Sequence, residues 1–177
     1  MQDYIDLAKK NGFTLLNSGN CQFCGAKTKR GIHECIEIFN FDFDEVDFSN
    51  PKNHIYKFLV VDAHTLQHSE IHGRWNNHFH LSRLHLIFKY NVVWTYKLSP
   101  KLSDSLNKYK SNKQDEYLIP PKVLERGKIT SSDVINCIPT EVASKNIIKE
   151  WALDVYNAWS VHYKVVDSIA KSFLNEN

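Results

Sequence analysis

The sequence predicts a mainly α protein, a helical bundle with an amino-terminal zinc knuckle, and three observations predict it. Apolar residues recur at helical spacing in two long stretches, around Ile55 to Leu66 and around Ile148 to Phe173. Ahead of both lies Cys21-x-x-Cys24-Gly25 in a turn-rich setting, the arrangement of a metal knuckle. The 177-residue chain is 42% hydrophobic and 24% charged, the balance of a soluble globular protein able to bury one core without disulfides. The expected organisation is a single domain over 1–177: a knuckle region (1–48), a helical pair (49–95), an irregular connector with a short helix (96–143) and a carboxy-terminal helix (144–177).

Taken in order, Tyr4, Ile5, Leu7 and Ala8 before Asn11-Gly12 read as a short helix stopped by a glycine. The knuckle follows, then a basic run Lys27-Thr28-Lys29-Arg30, then a short ordered element over 32–39. Ser49 or Asn50 can cap the next helix, Pro51 suits its first turn, and Ile55, Phe58, Leu59, Asp62 and Leu66 carry it toward Gly73. A second helix is predicted from Trp75 to about Trp94, with His80, Leu81, Leu84 and Phe88 on one side, antiparallel to the first. The polar, Lys-rich stretch 97–113 and the Pro120-Pro121 pair predict a connector or lid. Thr130 to Asp133 caps a short helix that Pro139 stops, and Cys137 among apolar neighbours is expected in the core.

The last helix, expected from about Ser144 to Phe173, carries the most regular pattern. Ile148, Ala152, Val155, Trp159, His162, Val166, Ile169 and Phe173 step by four and three, the mark of a face against a partner helix. His162 places an ionisable group in that otherwise apolar seam.

Charge and termini narrow the function classes. A net charge of +2 gives no strong pull toward nucleic acid or anionic lipid, which leaves nucleic acid unsupported without excluding it. The amino end lacks a basic n-region and no apolar run is long enough for a bilayer, so an unprocessed, soluble, cytoplasmic protein with no membrane partner is expected. In a reducing compartment the four cysteines favour metal ligation or burial over disulfides. Gly-x-Ser-x-Gly, phosphate-loop and dinucleotide motifs are missing.

Two constellations can carry chemistry. Cys21 and Cys24 can chelate one ion, Gly25 accepting the backbone angle beside the second thiolate, and zinc (Zn2+) is the default for thiolate-rich ligation. Tetrahedral closure needs two more donors. Cys35 is the third, and His68 is taken as the fourth, with His33 and His80 as alternatives. Three cysteines buried for packing alone would explain the pair spacing poorly. The other constellation is histidine: His64, His68 and His72 are four apart, and His80 and His162 fall on neighbouring helices. With Asp62, the trio His68, His80 and His162 is a candidate catalytic cluster for an open-sited metal that activates water. Ordinary exposed or hydrogen-bonded histidines are the competing explanation.

The motifs Cys21-x-x-Cys24-Gly25-Ala26, Cys35 with Phe39, Val61-Asp62-Ala63 with Gln67-His68, His80-Leu81, Leu118 with Pro120-Pro121, Thr130 with Asp133-Val134, and Trp151-Ala152 with Trp159-Ser160 and His162 follow one another along nearly the whole chain. In that order they resemble the blocks of a bacterial domain family of unknown function. The resemblance implies special weight for Cys21, Cys24, Cys35, Asp62, Gln67, His68, His80 and His162, and implies no activity. The chain departs from the pattern at His64, where a tyrosine is expected, and in its long basic linker after Trp94. The expected function is a zinc-stabilised binding or regulatory module. A metal-dependent hydrolase is the alternative, and nucleic-acid binding through the knuckle and 27–30 a weaker one.

Overall fold

The computed structural model describes residues 2–40, 46–112, 116–136 and 140–176. Among these the chain is a bundle of helices without strands, its one β-bridge pairing Gly19 with Arg30. Cys137 and Pro139 lie outside the described residues.

Helix α1, Gln2–Lys10, ends where Gly12 turns to a φ of +85°. The chain then winds through the knuckle into α2, Gly31–Asn40. Gly31 is required at that junction: its φ is +57°, and a Cβ would stand 2.4 Å from the Leu16 carbonyl oxygen. Asn50 caps a 3-10 turn, Pro51–Asn53, that leads into α3, His54–Gln67, and α4 follows over Asn76–Phe88. The two run antiparallel: Asp62 meets Arg83, while Ile55 and Leu59 lie beside Ile87 and Phe88.

Helix α4 stops well short of Trp94. Asn91 adopts a left-handed φ of 53°, and the Val92 amide closes back on the Leu86 carbonyl at 3.0 Å. Asparagine tolerates that conformation and ends the helix there. Trp94 beyond it drops into the core.

The stretch 97–113, expected as irregular, instead contains α5, Leu98–Asn112. Pro100 sits in its first turn, where proline is tolerated. Leu98, Leu102, Leu106 and Tyr109 form a narrow apolar stripe that packs on α4 and α8, and the lysines ride on the outside. A polar average concealed the stripe. Next, Thr130 and Asp133 form a capping box around α6, Ser131–Ile135.

The expected carboxy-terminal helix is two helices. Helix α7, Glu141–Ala158, and α8, Tyr163–Asn175, are separated by a 3-10 turn at Ser160–His162. The break lets α7 lie on α3 while α8 lies on α4 and α5. All members of the seam from Ile148 to Phe173 are buried except His162, which falls in the turn and is half-buried. The bundle core thus surrounds Leu66, Leu84, Trp151 and Trp159, and a smaller core gathers Ala8, Phe23, Ile32 and Ile71 around the cysteines.

Candidate metal centre

The knuckle is shaped by its own backbone. The Cys21 amide donates to the Ala26 carbonyl and the Gly25 amide to the Cys21 carbonyl, both at 2.9 Å, while Gly25 takes a φ of +79°. The Ala26 amide lies 3.5 Å from Cys24 Sγ, a donor directed at a sulfur. Cys35 enters from α2, anchored at Gly31. His68 enters as the residue closing α3, with φ −120° and ψ 39°.

The four side chains converge, with one ligand atom from each lying within 4.8 Å of the others. Cys24 Sγ and Cys35 Sγ are 3.7 Å apart, and His68 Nε2 is 3.4 Å from both Cys21 Sγ and Cys35 Sγ. With Zn–S near 2.3 Å and Zn–N of 2.0–2.1 Å, a tetrahedral shell has S···S edges of about 3.8 Å and S···N edges of about 3.6 Å. The observed separations fit those edges. All four residues are buried, and Cys35 and His68 are fully so.

The imidazole is pre-set for ligation. His68 Nδ1 lies 2.6 Å from the His64 carbonyl oxygen, which can only accept, so Nδ1 carries a proton and Nε2 is the ring nitrogen turned to the sulfurs, placed to take either a proton or an ion. His64 stacks on the His68 ring at 4.0 Å, Phe39 stacks on His64 at 4.0 Å, and Phe23 meets His68 edge-on. Ser131 Oγ, from the first turn of α6, stands 3.5 Å from Cys35 Sγ.

The cluster's protons compete. Hydrogen bonds from Cys24 and Cys35 stabilise a thiolate on Cys21 and lower its pKa, whereas the same contacts and burial raise that of Cys24. Burial opposes charge on His68, but the Cys35 charge and hydrogen bonds to Cys21 and Cys35 outweigh it and lift the imidazole to about 10. One buried positive charge in that pocket can be supplied by a proton or by a metal ion.

The other candidates stand elsewhere. His33 lies half-buried on α2 and takes no part in the four-residue group. His80 is bound through Nδ1 to Asp62 Oδ1 at 2.6 Å, and Arg83 Nε donates to Asp62 Oδ2 at 2.8 Å, so the two side chains share one carboxylate. His162 Nε2 donates to the Ile119 carbonyl at 2.7 Å. The expected convergence of His68, His80 and His162 is therefore not found: each imidazole is fixed by a different partner. Among the described residues, Cys21, Cys24, Cys35 and His68 are the one group of three or more such side chains able to hold an ion. Gln67 is a buried strut, accepting from Trp151 Nε1 at 3.0 Å and donating to the Ile129 carbonyl at 2.9 Å.

Some contributors had no readable signal. Ser131 is far from the cysteines in sequence, and Arg83 is one of many surface-type residues until its burial beside Asp62 is seen. The neighbouring Glu70–Arg126 ion pair, also buried, is equally long-range.

The family model DUF5946, a family of unknown function, matches residues 19–160. The chain belongs to this family. The DUF5946 match includes all four converging residues and ends before His162. No curated protein and no solved structure matches the chain. No helix among the described residues is long and apolar enough to cross a membrane.

Proposed function

We propose that the protein is a zinc-stabilised binding module in which Cys21, Cys24, Cys35 and His68 hold one structural zinc ion. The observation that carries this reading is the buried set of four donor atoms at tetrahedral edge lengths. Three thiolates and an imidazole suit zinc over the hard cations, which prefer oxygen. Four protein donors complete the shell, leaving no position for a water to be activated, so the ion's contribution is to folding. It would tie the knuckle to α2 and to the end of α3, with Ser131 linking α6.

The hydrolase alternative lacks support, because its histidines are engaged apart. The nucleic-acid alternative weakens too: Glu34 accepts from the Lys29 and Arg30 amides, and the Arg30 guanidinium is paired with Glu37. The basic run is thus partly neutralised by its own helix.

The test is elemental analysis of untagged protein, expected to give one zinc per chain, with a cobalt-substituted sample showing thiolate-to-metal absorption. Cys35→Ser and His68→Gln should each lower zinc affinity at least tenfold by competition with a chromophoric chelator. Wild-type protein that takes up no zinc overturns the proposal.

A further inference from the structure

A cavity of about 630 Å³ opens beside the metal centre, within the size range of small-molecule sites. Phe13, Tyr117, Leu118, Pro120 and Val123 supply apolar wall. It borders the metal cluster: Phe13 meets Phe23 edge-on at 5.9 Å, Val123 packs on the cysteine core, and Glu70 follows His68 by two residues.

The strap that forms one wall is held in place. The Ile119 carbonyl accepts from His162 at 2.7 Å and the Pro121 carbonyl from Arg126 Nε at 2.8 Å. This accounts for a histidine in the apolar seam, since His162 positions the strap. A pocket fixed in advance loses little freedom on binding.

Its polar groups define what fits. Arg126 is spent on Glu70, on the Gln67 carbonyl and on Pro121, so that buried pair is internally neutral. Arg74 and Lys122, both exposed at the rim, have no carboxylate partner among the described residues, and the Arg74 guanidinium lies 5.2 Å over the Tyr117 ring. Deeper in, Asn77 lines the cavity and is 4% exposed.

We propose that this cavity binds a small aromatic acid: the ring against Tyr117 and the prolines, the carboxylate toward Arg74 and Lys122. This gives the binding module of the preceding section its ligand class, and rests on that reading.

The test uses full-length protein with one zinc per chain verified beforehand, so that failure to bind is distinguishable from failure of the zinc reading. Amide-resolved NMR titration is made with indole-3-acetate and its neutral analogue indole-3-acetamide. Saturable shifts are expected in 69–77 and 117–126, with the neutral amide at least about fivefold weaker. The double variant Arg74→Gln with Lys122→Gln, at two exposed positions, should abolish that charge preference. No saturable shifts in those segments, or equal affinity for acid and amide in the wild type, overturns the proposal.

Discussion

Glu70 and Arg126 show what a buried charge demands of its surroundings. Both are nearly inaccessible, and the guanidinium makes two bonds to the carboxylate and further bonds to the Gln67 and Pro121 carbonyls. Removing one partner strands the other in a low-dielectric site, which costs about 3–5 kcal/mol. Glu70→Gln should therefore lower stability by that order in urea denaturation, while Glu70→Gln combined with Arg126→Met should recover part of the loss. A single variant within 0.5 kcal/mol of wild type (a rough surface-substitution limit) would show that water reaches the pair. Asp62 between Arg83 and His80 is held by the same kind of charge pairing.

Helix α5 is the element on which local pattern and average composition disagree most. Its lysines and serines suggest solvent, yet Leu102 is fully buried against the bundle. Leu102→Ala should cost about 2–5 kcal/mol, and Asn107→Ala on the exposed side should be neutral or slightly stabilising, since alanine favours helix. Thermal or urea melts of the two variants check this, and two silent substitutions would mean a connector after all. The division of α7 from α8 is a different case. Neither proline nor glycine marks it, and Trp159 continues the heptad-like seam through the break. Its cause is that α7 and α8 must serve different neighbours, a demand that no residue near Trp159 announces.

Across the whole molecule, two apolar cores meet at the end of α3, where His68 belongs to the metal group and Ile71 to the smaller core. Histidines buried in neutral form make this assembly acid-sensitive. Burial pushes His78 down to about 4 and, with the charges of His80 and His68, His72 down to about 3, from the ordinary 6.5. The unfolded chain therefore takes up protons first as pH falls. The stability these residues allow is complete above pH 6.5 and is lost progressively below it, down toward 4 and 3. Replacing His78 with Phe should reduce the pH slope of unfolding free energy in that window by about one proton, or about 1.4 kcal/mol per pH unit. Acid release of an ion held by Cys21, Cys24, Cys35 and His68 would have the same sign but would be common to wild type and variant, so the difference isolates His78. An unchanged slope would place its folded-state pKa near that of the unfolded chain.

The helical class, the knuckle with Cys35, and the seam of α7 and α8 were determined by the sequence itself, because ligand spacing and apolar periodicity are local properties that survive any docking of the elements. So was the set of candidate donors, with His68 among them. Which imidazole faces the thiols was decided by tertiary structure: His68 closes α3 against the knuckle, whereas His80 is drawn to Asp62 and His162 to the strap at Ile119. The same holds for α5, for the breaks at Asn91 and Ser160, and for the cavity beside the metal centre. Each depends on which surfaces meet and on which buried polar atoms must then find partners, and those requirements exist only once the chain has folded.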